Sequence, residues 1–368
     1  MKVLHILDSL NRGGAEMLEL DVCRNAAKNG LELAFAATGG GSLEEDFRNS
    51  GVRFFRFQRR LPVDPRLVAR LRKLIKKHGF DVVHTHQPVA GLHAFLATRG
   101  TPVKNVMSFQ GFIPDRKNRL ITKFLVPRMA ANVSCSHGLT EWLAEVDRTD
   151  VAGFRMIYNG VDRARLAYDG ESLREELKLA PDAFLFGMVA HFYTDRRKDQ
   201  ITLCKAFARV ADDLPDAHLI LVGRIEPGAE AKYAECRRIV AENGLAARVH
   251  FLGQRDDLAK VVKSLDVYVF SSFYEGLPIA LMEAMLSKKP CILSDIAPHR
   301  EVSSDGEFAE VFETENADEL AGKLVKLARD ADFREDLAGR AYEFAVRTFS
   351  IEAHLENLKK LYETILNQ

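Results

Sequence analysis

Residues 271–283 read Ser-Ser-Phe-Tyr-Glu-Gly-Leu-Pro-Ile-Ala-Leu-Met-Glu, directly after the apolar run Val267–Phe270. The pattern is a strand ending in two serines, then a glycine-bearing loop, then Pro278 at the first position of a helix. First-turn amides from Leu277 onward would face out of the strand's C-terminal end. Open parallel sheets bind ligands there, and a helix N-terminus favours an anion such as a diphosphate. Glu275 falls at the mouth of this site. Glu283 lies further into the helix, roughly 7–8 Å along its axis at about 1.5 Å per residue. Two acids so spaced suit two hydroxyl-rich groups of one extended ligand, such as a sugar and a ribose. Taken singly, each is equally a helix-dipole partner or a surface charge.

Outward from this stretch the chain alternates β-rich runs with helical ones. Residues 3–7, 33–37, 52–57 and 81–84 read as strands, with helical periodicity at 15–29 and 65–77. Gly39, Gly40 and Gly41 close the second strand. The alternation restarts at 184–189 and continues through 219–222, 249–252, 267–270 and 290–293. Such alternation predicts α/β architecture with parallel, doubly wound sheets. The turn-rich stretch Ile157–Asp162 places a boundary near 165, giving domains 1–165 and 166–368. An amphipathic helix over about 351–366 has no strand after it, which leaves it free to cross back to the first domain.

The chain has 368 residues, 47% hydrophobic and 28% charged, a globular composition sized for two domains. No window reaches the roughly 18 apolar residues of a membrane span, and Asp8 interrupts the first apolar run, so neither a signal peptide nor an anchor is expected. The five cysteines are scattered, without CxxC spacing, which disfavours disulfides and structural zinc and fits a reducing cytoplasm. Net charge is zero, yet residues 1–165 hold 26 Lys+Arg against 16 Asp+Glu, leaving 26 against 36 beyond. Arg66, Arg70, Lys73 and Lys77 fall on one helix face. That face is simply solvated, or else meets an anionic membrane surface or binds the acceptor.

With these residues in view, the chain resembles the family-4 retaining glycosyltransferases (glycosyl transferases group 1), which share the GT-B fold of two Rossmann-like domains. Glu275 and Glu283 look like that family's E-x7-E motif. Asn11-Arg12-Gly13-Gly14-Ala15-Glu16 is similar to its glycine-rich loop after the first strand. Ile157–Asp162 resembles its interdomain segment, and Val249–Gly253 the strand and turn whose backbone meets the nucleotide base. Leu221-Val222-Gly223, and Ser294-Asp295 followed by Glu301, complete the order. The resemblance spans essentially the whole chain.

What it implies is transfer of a hexose-type sugar, with retention, from a UDP- or GDP-sugar to a glycan or lipid-linked acceptor. Cell-surface polysaccharide or glycolipid synthesis is the implied setting. Glu283 would bind the ribose and Glu275 the donor sugar near its reacting carbon. Lys198 and a basic partner would neutralise the leaving diphosphate without a metal. Relatives place an arginine where this chain has His191, so Arg196 or Arg197 from the same loop is the alternative. Gly14, Gly223, Phe251, Leu252, Gly276, Leu277, Pro278 and Ile279 complete the donor side. Gln110 stands where many relatives carry a histidine near the donor sugar; it can hydrogen-bond a hydroxyl but cannot take its proton. Gly13, His84 and His86 fall on the acceptor side, the histidines being equally explained as satisfied strand-end residues. No metal or cofactor is expected besides the nucleotide-sugar substrate, and no nucleic acid. The location expected is cytoplasmic, with peripheral contact at the inner membrane face.

Other readings are a nucleotide-sugar epimerase or sugar phosphorylase on the same fold, and a non-catalytic sugar- or nucleotide-binding protein. An NAD-dependent oxidoreductase would need G-x-G-x-x-G after the first strand, where Leu10–Glu16 stands instead.

Overall fold

The computed structural model describes residues 1–111 and 115–368. They form two compact units: Met1–Asp162 with Thr348–Gln368, and Arg163–Arg347. The division falls between 162 and 163 rather than at 165, and the last twenty-odd residues belong to the first unit.

The first unit is built on β1 (Lys2–Leu7), β2 (Glu32–Ala37), β3 (Arg53–Arg56), β4 (Val82–Thr85), β5 (Lys104–Phe109), β6 (Ala131–Ser134) and β7 (Phe154–Met156). They hydrogen-bond in the order β3-β2-β1-β4-β5-β6-β7, every pair parallel. β1 is buried at every position after Lys2, as a central strand covered on both faces must be. The Gly39–Gly41 turn packs so tightly on the loop after β1 that a Cβ at Gly39 would strike the Asp8 carbonyl, and one at Gly41 the Leu10 backbone. Leu10 N–H donates to Gly40 O at 3.1 Å and Leu43 N–H to Leu10 O at 2.9 Å, which fixes the path of the glycine-rich loop.

The basic helix Pro65–His78 is capped by Asp64, whose carboxylate accepts the Arg66 and Leu67 amides, and ends at left-handed Gly79. Leu67, Leu71 and Ile75 bury its apolar stripe against Leu4, Ile6 and Val83, leaving the cationic face outward. The closing helix Ile351–Leu366, capped by Ser350, buries Leu355, Leu358 and Tyr362 and packs against the helix Gly14–Asn25.

The second unit contains β8 (Phe184–Val189), β9 (Ala217–Val222), β10 (Val249–Phe251), β11 (Val267–Phe270), β12 (Cys291–Ser294) and β13 (Glu310–Phe312). Its order is β10-β9-β8-β11-β12-β13, again wholly parallel. The chain order reverses between β8 and β11, where the strands' carboxyl ends open a crevice suited to a ligand. All five cysteines are buried.

Candidate active site

The reversal point of the second unit gathers the residues around Lys198 and Glu275. The loop after β8 is held across the end of β11 by backbone hydrogen bonds: Asp199 N–H to Ser271 O at 2.9 Å and Phe273 N–H to Arg197 O at 3.1 Å. An isolated antiparallel bridge pairs Lys198 with Ser272 between them. This pinning brings the Lys198 ammonium onto the Glu275 carboxylate, with both side chains about nine-tenths buried. The ammonium also lies 4.1 Å from the centroid of the Phe270 ring. Burial pushes the lysine's pKa down, and Glu275 works against that shift.

His191 follows β8. Its Nδ1 lies 3.1 Å from the Arg224 amide, a group that can only donate, so the ring proton of the neutral imidazole belongs on Nε2. Burial, then the Arg224 charge, lowers its pKa and favours that neutral form. Gln200 donates to His191 O at 3.1 Å, holding the same loop.

The two arginines expected as substitutes are otherwise engaged. Arg197 grips Asp195, with Nη2 to Oδ2 at 2.6 Å, and lies 4.5 Å over the Tyr193 ring; the pairing holds Asp195 at a pKa of about 2. Arg196 pairs with Glu315 and stacks on Phe273, 4.4 Å from its centroid. Neither guanidinium joins the Lys198–Glu275 pair, because each has a nearer carboxylate. His191 feels the Lys198 charge, which adds to the lowering of its pKa.

Gly276, Leu277 and Pro278 lead into the helix Ile279–Leu286, with Pro278 at its N-cap rather than one position inside it. The first-turn donors are therefore the Ile279 and Ala280 amides. Glu283 sits in this helix, 7% exposed, and is gripped by Arg165 at 2.6 Å. Gly223 follows β9 with φ +155°, and its N–H donates to Gly253 O at 2.8 Å. Leu252 N–H likewise donates to Leu221 O. Phe251 turns its ring onto Tyr233, at 5.2 Å, and Arg237, so any role in binding a base falls to backbone.

In the first unit Gly13, Gly14, His84 and His86 lie on the strands, loops and helix start at the reversal between β1 and β4, with Gln110 one strand further on. Gly13 caps the helix that begins at Gly14, and a Cβ at Gly13 would meet the Glu16 carboxylate at 2.7 Å. Gln110 follows β5, and its buried Oε1 has no partner among the described residues. Both histidines are buried. His84 is fully buried and uses both ring nitrogens, Nδ1 with Tyr362 Oη at 2.6 Å and Nε2 with Ser108 Oγ at 2.7 Å. His86 is buried against Glu19, Nε2 to Oε1 at 3.1 Å, while His5 bridges Glu19 at 2.7 Å and Tyr362 at 2.9 Å. His5, His84 and His86 bring ring nitrogens within 4.8 Å of one another. Because His84 has no lone pair to spare and the remaining contacts are at hydrogen-bond length, the group reads as a proton-linked network tying the last helix to β1 and β4.

Residues that sequence reasoning passed over are Arg165, which holds Glu283, and Lys232, whose Nζ donates to Asp195 O and Lys198 O at 2.5 and 3.0 Å. Glu19 and Tyr362 at the centre of the histidine network were also missed. No local spacing announces any of these contacts.

Residues 169–344 match the family model for glycosyl transferases group 1, and residues 12–165 that for glycosyltransferase family 4. A UDP-Gal:alpha-D-GlcNAc-diphosphoundecaprenol alpha-1,3-galactosyltransferase of Escherichia coli is 26% identical over 313 residues, covering 81% of this chain and 79% of that one. A phosphatidyl-myo-inositol mannosyltransferase of Mycolicibacterium smegmatis is 27% identical over 322 residues, covering 83% and 77%. Among solved structures, Anabaena HepE in complex with UDP and glucose superposes with a TM-score of 0.84 at 20% identity, over 99% of this chain and 100% of that one. A glycosyltransferase from Rickettsia africae reaches 0.86 at 18%, over 100% and 99%. The two family models between them span nearly the whole chain, and the two parallel-sheet units have the architecture they describe: the chain belongs to the family-4, group-1 glycosyltransferases and has the GT-B fold.

Proposed function

We propose that this glycosyltransferase moves a hexose, with retention, from a UDP- or GDP-sugar to a glycan or lipid-linked acceptor, without an obligatory metal. The observation that carries the donor reading is the Lys198–Glu275 pair at the strand reversal of the second unit, beside the helix that bears Glu283. Lys198, the Ile279 and Ala280 amides and the Nε2–H of His191 form a positive crescent for the departing diphosphate. Such preorganised donors stabilise developing charge without reorganising. When the diphosphate arrives, the ammonium exchanges part of its contact with Glu275 for phosphate oxygens, and Glu275 is freed to hold sugar hydroxyls. Retention then follows from attack on the face the phosphate leaves, with a phosphate oxygen taking the acceptor's proton. That route needs no second carboxylate as base, unlike glycoside hydrolysis.

The acceptor reading draws support from two relatives, whose names give a diphosphoundecaprenol-linked sugar and phosphatidyl-myo-inositol as their substrates. UDP is the favoured donor nucleotide, since the E. coli relative is named for UDP-Gal and HepE was crystallised with UDP. No helix among the described residues is long and apolar enough to cross a membrane. Peripheral contact through the basic first unit, at the cytoplasmic face, is the mode proposed. The epimerase reading loses ground because His84, an ionisable group it would have drawn on, has both nitrogens occupied.

Thermal unfolding with UDP, GDP, ADP and NAD tests the donor. A ligand at about 100 times its dissociation constant stabilises the native state by roughly 2.7 kcal/mol, a readable shift. One nucleoside diphosphate should raise the midpoint, and Lys198→Ala should reduce that rise. A rise with NAD alone would end the proposal.

A further inference from the structure

We propose that Arg165 is a positioning residue for nucleotide recognition: it holds the Glu283 carboxylate in the one orientation that lets it accept hydrogen bonds from the vicinal hydroxyls of a ribose. The inference rests on the donor-site reading above, in which Glu283 meets the ribose, and names the residue that makes that contact selective.

Arg165 lies in the 3-10 turn Arg163–Leu166, the first structured segment of the second unit, which packs against the helix Ile279–Leu286. Its Nη2 reaches Glu283 Oε1 at 2.6 Å, and the side chains are 17% and 7% exposed. A carboxylate this far from water needs a charged partner, and the Arg165 guanidinium supplies it at Oε1. Beneath the same helix, Tyr268 is fully buried; burial first, and the Glu283 charge second, raise its pKa, so it presents a neutral hydroxyl. The cation that sets Glu283's geometry is therefore Arg165.

In the proposed arrangement Oε1 faces Arg165 and Oε2 faces the ribose. A glutamate side chain has three rotatable bonds, and without the grip its free oxygen would sample several directions. A fixed acceptor of this kind distinguishes a ribose diol from a deoxyribose, whose missing hydroxyl leaves the carboxylate short of a donor. A purely structural Arg165, present only to neutralise a buried acid, would support the helix without reading the sugar.

Isothermal titration of UDP and 2′-deoxyUDP into the wild type, Arg165→Met, Arg165→Lys and the double variant Arg165→Met/Glu283→Gln separates the two roles. Expected for Arg165→Met is a loss of about 10- to 100-fold in UDP affinity, the worth of a charge-assisted hydrogen bond. The affinity for 2′-deoxyUDP should change less than about threefold, so that the preference for UDP collapses. Arg165→Lys should recover part of the preference. The double variant should bind UDP no worse than Arg165→Met, since both changes remove one device. It also removes the stranded carboxylate, so it serves if Arg165→Met unfolds. Equal weakening of both nucleotides in Arg165→Met, or an unchanged preference for UDP, would overturn the role while leaving the donor site standing. If the wild type binds no nucleoside diphosphate, the donor-site reading falls and this role falls with it.

Discussion

Gly223 holds φ at +155°, and a Cβ there would collide with the Ala190 carbonyl. Only glycine lets the turn after β9 lie this close to the turn after β8, the loop that carries His191 and leads on to Lys198. Gly223→Ala should therefore cost more than about 2 kcal/mol, read from urea midpoints, through both strain and collision. Lys198→Met keeps a similarly shaped apolar chain over the Phe270 ring but leaves the Glu275 carboxylate buried without its cation, so Lys198→Met/Glu275→Gln is the variant to use if the single change unfolds. The sugar-transfer rate of Lys198→Met should fall by about 100-fold or more, the usual loss when a preorganised donor to developing charge is removed. A variant with near-normal turnover would remove Lys198 from the chemistry. The Glu275–Glu283 spacing and Lys198 were legible in the sequence because they belong to one short segment and one charged loop. Arg165 was not, because its partner lies more than a hundred residues away and nothing periodic links the two. Arg196 and Arg197 stand out by residue type alone, and nothing in the sequence shows that Glu315 and Asp195 pair with them.

At the scale of elements, the closing helix Ile351–Leu366 is attached to the first sheet through Tyr362. Its hydroxyl lies 2.9 Å from His5 and 2.6 Å from His84. Tyr362→Phe strands two buried ring nitrogens and should lower the stability of the first unit by about 1–3 kcal/mol, measured by urea unfolding of the whole chain. The same network makes the unit acid-sensitive. Burial is the main cause depressing His86 to about 4 and His84 well below its ordinary value, with His5 and His354 adding to both shifts; Glu19 opposes the His86 shift. Between pH 6.5 and about 4 the unfolded chain binds these protons and the folded chain does not. Stability is thus complete above pH 6.5 and is lost as pH falls, by about 1.4 kcal/mol per pH unit for each histidine. His86→Gln should flatten that slope; an unchanged slope would place the acid sensitivity elsewhere. The strands themselves were plain from apolar runs, and the basic helix from its periodicity. The role of the histidines was not, since a strand-end histidine looks the same in sequence whether it faces solvent or a buried tyrosine.

Across the whole molecule the charge is unevenly divided, with the excess of Lys and Arg before residue 166 and the excess of acid after it. The helix Pro65–His78 keeps its cations outward, and the helix Arg116–Leu125 adds Leu120 and Phe124 as exposed apolar side chains among further basic residues. Binding to vesicles containing anionic lipid should be measurable at low ionic strength and fade toward 0.5 M salt as the Debye length shrinks to about 4 Å. Lys73→Glu/Lys77→Glu should weaken it, and binding indifferent to both salt and charge reversal would exclude an electrostatic contact.

The backbone link between Val161 and Ser350 bears on how such a protein can be cut and rebuilt. Val161 N–H donates to Phe349 O and Ile351 N–H to Val161 O, so the strand of chain leaving the first unit lies beside the one returning to it. In topological terms the residues 163–347 are a cassette spliced into a host whose entry and exit points touch. A short glycine bridge replacing the cassette should give a self-sufficient host of 1–162 plus 348–368, whereas a fragment stopped at 162 would lack its final helix and expose the apolar groove that helix fills. The host should tolerate a reporter in place of the cassette at that seam, and exchange between relatives should succeed at this junction sooner than at a cut that sends the last helix along with the wrong half.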